Sequence, residues 1–125
     1  MNRLVYENPH PLALQTKFEE IMQYSHMALK QFPKNERFQL CADIKQAVDT
    51  AMHLIIRMQK RYAKKTTLQD LDVEIEYLRV LVRSANAYGY INTHKLQVWM
   101  KHVDEAGRIC GGLIKFYNEK ARTTS

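Results

Sequence analysis

Apolar residues recur along the chain in steps of three and four, which keep side chains on one face of a helix. Pro33 and Gly89 interrupt the pattern where helices end. Four helices are therefore predicted, running from about Leu12 to Gln31, Asn35 to Ala63, Thr67 to Tyr88, and Asn92 or Thr93 to Glu119.

The stripes repeat at seven residues and the connections are short, which is typical of helices packed side by side. We expect an all-α fold, an antiparallel up-down-up-down four-helix bundle over residues 12–120. An irregular arm over 1–11 and a flexible tail over 121–125 flank it. Asn35 is the expected N-cap of the second helix, whose core stripe ends at Tyr62. Thr67 and Asp70 resemble a capping box at the start of the third.

Several apolar residues lie beside the core stripes. They are Leu40, Leu54, Tyr77, Leu81, Tyr88, Met100 and Ile114. A second apolar stripe on several helices indicates a subunit interface, since a monomeric bundle needs only one stripe per helix. A wide apolar face that wraps the core is the alternative, and the sequence favours neither.

Three glycines interrupt the fourth helix: Gly107, Gly111 and Gly112. Each interior glycine costs a helix about 1 kcal/mol relative to alanine. Close approach of another backbone would offset that cost, either inside the bundle or between subunits. We expect this approach at or near a subunit contact.

Composition limits the size and the partners of this molecule. The 125 residues, of which 46% are hydrophobic and 26% charged, suit one globular domain. The net charge of +6 favours nucleic acid, an acidic protein or an anionic membrane surface as partner, and a charge that serves solubility alone is the alternative. Because no apolar run approaches the ~20 residues that span a bilayer and no signal region is visible, we expect a cytoplasmic protein.

Catalytic chemistry finds little support. The only Glu-x-x-His spacing, Glu7 to His10, lies outside the predicted helices, so no metal pair of the kind found in bundle cores is indicated. Cys41 and Cys110 belong to no close motif and are expected to be small buried hydrophobes. No catalytic residue, metal or cofactor is predicted.

Basic residues give the stronger signal, because they form ridges on three helices. The predicted contact residues are Arg57, Lys60, Arg61, Lys64, Arg79, Arg83, Arg108 and Lys115. Such ridges suit phosphate backbones, and binding would depend on charge and shape. Alternatively the ridges are solvated faces, neutralised locally by Glu74, Glu76, Asp104 and Glu105.

Two segments carry a family resemblance over roughly Leu14 to Tyr117. The run from Phe32 to Arg37 resembles the opening of the second helix in the four-helix-bundle family of ribosomal-RNA intervening-sequence proteins. The run from Glu105 to Lys115 resembles the Gly-Arg-x-x-Gly-Gly-x-x-Lys pattern of one branch, the accessory variability determinant proteins of diversity-generating retroelements. The third-helix run Leu78–Ala85 is similar to that branch as well.

The resemblance implies a non-enzymatic bundle that assembles as a homopentameric barrel with a basic surface. It implies binding of RNA or DNA and of the element's reverse transcriptase during mutagenic copying of a template RNA. Carried onto this chain, the contacts are Arg79, Arg83, Arg108 and Lys115, with the three fourth-helix glycines as packing positions. No membrane and no small-molecule substrate is implied. An oligomeric protein-interaction scaffold without nucleic-acid binding is the alternative function.

Overall fold

The computed structural model describes residues 10–62 and 64–124. Its four α-helices are α1 (Pro11–Leu29), α2 (Leu40–Lys60), α3 (Lys65–Ala87) and α4 (Thr93–Thr124). A short 3-10 turn, Lys34–Glu36, lies between α1 and α2. Most of the predicted arm, residues 1–9, and Ser125 lie outside the described residues.

The helices form a closed ring in which each packs against its neighbours in the chain and α4 returns to α1. Contacts across the seams run in opposite chain directions. Lys17 and Ser25 of α1 meet Glu105 and Trp99 of α4, in that order. The predicted antiparallel up-down-up-down bundle is therefore confirmed. In this ring α2 lies diagonally across from α4, and the α1–α2 seam lies opposite the α3–α4 seam.

The core is one apolar cluster, and Trp99 is its largest fully buried side chain. Its indole N–H donates to the Ser25 hydroxyl at 3.1 Å, so the one polar atom of the ring is satisfied. The rings of Tyr24 and Phe32 pack on it at centroid distances of 5.8 and 6.4 Å. This packing fixes α4 against the end of α1.

The second helix differs from prediction at both ends. Asn35 is not an N-cap, because it lies inside the 3-10 turn and α2 begins only at Leu40. The Glu36 carboxylate instead accepts the Leu40 N–H at 3.2 Å. Since α2 ends at Lys60, Tyr62 is fully exposed and not part of the core stripe.

The later helix ends follow the predictions in part. Gly89 has φ of 81°, the left-handed conformation predicted after α3, and the Asn92 side chain caps α4 by accepting the Lys95 N–H at 2.8 Å. The capping box at Thr67 is wrong, because α3 begins at Lys65 and Thr67 is buried. The fourth helix continues to Thr124, so residues 121–124 are helical and not an irregular tail.

The additional apolar residues divide into two groups. Leu40, Leu54 and Leu81 are each only 7% exposed and widen the core. Tyr77 and Tyr88 are exposed, whereas Met100 and Ile114 are partly buried against the core. The wide-core interpretation therefore holds for the first group, and a subunit interface at the exposed residues stays a prediction. No helix within the described residues has both the length and the apolarity needed to cross a membrane.

Candidate nucleic-acid interface

Arg79 is the most constrained of the predicted contact residues. Its Nε donates to Asp104 Oδ1 of α4 at 2.8 Å, and its Nη1 donates to Glu76 Oε2 of α3 at 2.9 Å. The side chain is 23% exposed. Burial disfavours its charge, but these two bonds outweigh that effect and raise the pKa of Arg79. Arg79 therefore joins α3 to α4, as the local-neutralisation alternative anticipated.

Gly107 provides the space for this guanidinium. A Cβ added at Gly107 would collide with Nη2 of Arg79. The close approach predicted at Gly107 thus exists, but a side chain makes it and not a backbone. The absence of a side chain at Gly107 therefore lets the Arg79 guanidinium approach α4 closely.

The remaining glycines behave differently. Nothing lies within 4 Å of the position that a Cβ would take at Gly111, so packing within the bundle does not explain that residue. Gly112 is partly buried. A subunit contact at Gly111 stays a prediction.

Arg83, Arg108 and Lys115 are three further predicted contact residues, on the same two helices that Arg79 joins. Arg83 is one turn along α3 and 52% exposed, with its Nη2 4.0 Å from Glu76 Oε1. Arg108 and Lys115 are exposed on the outward face of α4. We call Arg83, Arg108 and Lys115 the α3–α4 basic surface. Its cations are exposed, with Arg83 at the limit of an ion pair to Glu76, whereas Arg79 is held by two carboxylates at 2.8 and 2.9 Å.

The basic residues near the end of α2 are not part of that surface. Arg57, Lys60 and Arg61 are exposed, but α2 lies diagonally across from α4. Lys64 is not on α2 at all; its ammonium donates to the carbonyls of Met58 and Arg61, both at 2.8 Å. Lys64 thus caps α2, satisfying carbonyls that the helix leaves unpaired.

Sequence reasoning missed a second inter-helix cation, Lys17. Its Nζ lies 2.7 Å from Glu20 Oε2 on α1 and 2.7 Å from Glu105 Oε2 on α4, and 2.8 Å from Nδ1 of His102. Burial alone would lower the pKa of Lys17, but the bonds to Glu105 and Glu20 raise it. The bond to Lys17 lowers the pKa of Glu105. Lys17 lies beside the core stripe of the first helix, which was the one available signal.

A second concentration of basic residues was also missed. Lys30, Lys34, Arg37 and Lys45 line one cavity of about 280 Å³ at the α1–α2 seam. The signal was present in the sequence, because three of these residues surround Pro33. They were assigned to different helices and so escaped notice.

No arrangement among the described residues suits metal binding or thiol chemistry. Across residues 10–62 and 64–124, no three His, Cys, Asp or Glu side chains are gathered so that they could hold a metal ion. Cys41 and Cys110 are free and buried, as predicted. Burial raises the pKa of Cys110 to about 12, so its thiol stays protonated near neutral pH.

Comparison with known proteins agrees with this architecture. A family model described as bAvd-like matches residues 12–117, which covers all four helices except the ends of α1 and α4. No curated protein and no solved structure matches the chain significantly.

Proposed function

Because the chain belongs to the bAvd-like family, an accessory and non-catalytic group, we propose that it binds nucleic acid and the reverse transcriptase of a diversity-generating retroelement. In this role a ring of basic bundles holds template RNA or nascent complementary DNA against the polymerase. The polymerase supplies all of the chemistry of mutagenic copying.

The observation that carries the proposal is the α3–α4 basic surface. Arg83 of α3 and Arg108 and Lys115 of the neighbouring helix α4 are all exposed. Cations on a rigid helical face bind phosphates by releasing counterions, without reading base sequence. Arg79 supports this surface by fixing α3 against α4, and is a positioning residue in the proposal.

We further propose that the bundles assemble as a homopentamer. Val73, Tyr77 and Val80 follow one another along α3 at helical spacing, and each is at least 43% exposed. Apolar side chains so exposed in a row favour burial against another molecule. Arg83 follows Val80 by three residues and so borders this stripe on α3, whereas Arg108 and Lys115 are on α4.

The test is RNA binding across a salt series by two variants with equal loss of charge. The first is Arg83→Gln/Arg108→Gln/Lys115→Gln, and the matched control is Arg57→Gln/Lys60→Gln/Arg61→Gln on the opposite face. For the first we expect weaker binding of a structured RNA and a salt dependence reduced by about one unit of log–log slope per lost phosphate contact. For the control we expect binding close to that of wild type.

Two further readouts complete the test. Capture of the purified reverse transcriptase should be weakened in the first variant and preserved in the control. Circular dichroism should show unchanged helix content in both, because all six side chains are exposed. Equal RNA binding by wild type and the first variant would overturn the assignment of this surface.

A protein-interaction scaffold is the second candidate function, and the exposed α3 stripe of Val73, Tyr77 and Val80 favours it. If wild type binds no RNA even at low salt yet captures the polymerase, the scaffold is the correct function. Replacing Tyr77 with Ser should then abolish that capture.

A further inference from the structure

The cavity at the α1–α2 seam collects positive charge without a compensating carboxylate. Its lining includes Lys30, Lys34, Arg37 and Lys45, together with His26. No Asp or Glu side chain lines it. An adjoining cavity of about 230 Å³ further along the seam shares Lys45 and has Asp49 in its lining.

Glu36 lies between Lys34 and Arg37 in the sequence, but its carboxylate is bonded to groups outside this cavity. One carboxylate oxygen accepts the Tyr90 hydroxyl at 2.9 Å and the other accepts the Leu40 N–H at 3.2 Å. Glu36 thereby lines a different groove, beside α3. Within the described residues, none of the four cavity cations forms an ion pair with a carboxylate within 4.0 Å.

The floor of the cavity is apolar. Leu29, Phe32 and Cys41 contribute to it and are each at most 9% exposed. Charges beside a water-poor floor interact more strongly with a bound ion than charges on an open helix face. Four exposed basic residues that line one cavity and pair with no carboxylate of the described residues favour an anionic ligand there.

We propose that this cavity binds an oligophosphate group, such as the triphosphate of a nucleotide or of an RNA 5′ end. A cavity of about 280 Å³ lies at the small end of ligand pockets, so it suits a compact anion. Four cations match an oligophosphate, whereas a single carboxylate would leave most of them uncompensated. Arg37 supplies a planar fork for phosphate oxygens, and the lysines supply point charges.

The site is independent of the proposed function. The α1–α2 seam lies opposite the α3–α4 seam, so the cavity and the α3–α4 basic surface are on different sides of the bundle. If the cavity binds no oligophosphate, the result expected for RNA binding across the salt series does not change. If the α3–α4 basic surface binds no RNA, the result expected for oligophosphate binding does not change.

The experiment is calorimetric titration of the full chain with inorganic tripolyphosphate. We expect saturable binding at one site per chain. Lys34→Glu/Arg37→Glu should weaken it by about tenfold or more, since two charge-assisted contacts are replaced by repulsion. The control, Lys65→Glu/Lys101→Glu, makes the same change of net charge at two exposed lysines outside the cavity and should change binding by less than about twofold.

A second variant protects the test against misfolding. Lys45→Glu changes the opposite wall of the cavity, on α2, and should also weaken binding while circular dichroism stays unchanged. Absence of saturable binding by wild type, or equal weakening in the cavity and control variants, would overturn the proposal.

Competition identifies the source of the phosphates. Adenosine triphosphate and a short RNA with a 5′-triphosphate are each added to the tripolyphosphate complex, with the same RNA bearing a 5′-hydroxyl as control. Displacement by the nucleotide or by the triphosphate RNA supports the site and names its ligand. Displacement by neither, or equal displacement by both RNAs, would overturn it.

Discussion

The fourth helix is joined to each of its two neighbours by a cation that lies between two carboxylates. The cation is a lysine on one side and an arginine on the other. Toward α1, the Lys17 ammonium lies between Glu20 and Glu105. Toward α3, the Arg79 guanidinium lies between Glu76 and Asp104. In each case one carboxylate is three residues from the cation on its own helix and the other is on α4.

The difference lies in shape and burial. The ammonium of Lys17 is compact, and the side chain is 11% exposed, so it fits beside the core without altering α4. The guanidinium is planar and needs a flat surface, which Gly107 provides. The comparison teaches that a glycine inside a helix can mark the position of an arginine on the neighbouring helix.

Lys17→Met should have the largest effect. Without the ammonium, Glu20 and Glu105 lose the cation that lies between them at 2.7 Å from each, so we expect the free energy of unfolding to fall by about 2 kcal/mol. Denaturant unfolding measures it, and Lys101→Met is the control, an exposed lysine that should change stability by less than about 0.5 kcal/mol. A loss of stability no greater than that of Lys101→Met would show that the ion pairs of Lys17 do not stabilise the contact between α1 and α4.

Arg79→Met should cost less, about 1 kcal/mol. The carboxylates of Glu76 and Asp104 are more than half exposed, so water replaces much of what the guanidinium supplies. Arg79→Lys should recover only part of the loss, because an ammonium lacks the two-sided fork. A loss exceeding that of Lys17→Met in the same denaturation experiment would reverse the comparison.

The glycines offer a matched pair on one helix. Gly111→Ala should raise the free energy of unfolding by about 0.5–1 kcal/mol, because the methyl group enters open space and alanine favours helix. Gly107→Ala should gain less, since its methyl displaces the Arg79 guanidinium. In an Arg79→Met background, Gly107→Ala should recover the full gain.

The outcome at Gly111 also bears on assembly. If Gly111→Ala lowers stability or changes the mass measured by sedimentation, another molecule packs against this residue. Equal gains at both glycines in the wild-type background would mean that the guanidinium does not need its position on α4.

We expect the smallest effect from the pH dependence of stability that the Lys17–Glu105 ion pair between α1 and α4 contributes. The raised pKa of Lys17 contributes stability that is fully present below its ordinary value of 10.5 and is lost only as pH rises through the higher folded value. The lowered pKa of Glu105 contributes stability that is present above its ordinary value of 4.5 and is lost as pH falls through the lower folded value. Glu105→Gln should therefore lose less stability than wild type when the melting temperature is followed from neutral pH to about 3. Parallel curves would contradict this assignment.

The bundle itself was predictable from the sequence because periodicity determines which faces are buried. The positions of Gly89 and Asn92 were predictable too, since each acts through its own backbone or side chain. The start of α2 was not, because Asn35 and Glu36 are both plausible near a helix start, and only the tertiary bond to Tyr90 shows what Glu36 does.

The candidate surface was predictable as a set of residues but not as a geometry. Spacing along one helix placed Arg79 and Arg83 together, but it could not show that Asp104 of another helix holds the first and leaves the second exposed. Likewise Lys30 and Lys45 are far apart in sequence, and only the packing of α1 against α2 brings them to one cavity. The spacing of residues along one helix does not show which residues of another helix they contact.

The two buried thiols make two different regions of the bundle accessible to chemical labelling experiments. Cys110 is fully buried near the start of α3, with its sulfur 3.6 Å from the Leu68 carbonyl, and Cys41 lines the α1–α2 cavity. An alkylating reagent reaches the Cys110 sulfur only when the surrounding helices separate, whereas it approaches Cys41 through the cavity that this residue lines. Labelling at Cys41 therefore reports access to the α1–α2 cavity, and labelling at Cys110 reports opening of the α3–α4 seam, so mass spectrometry of one sample follows both rates.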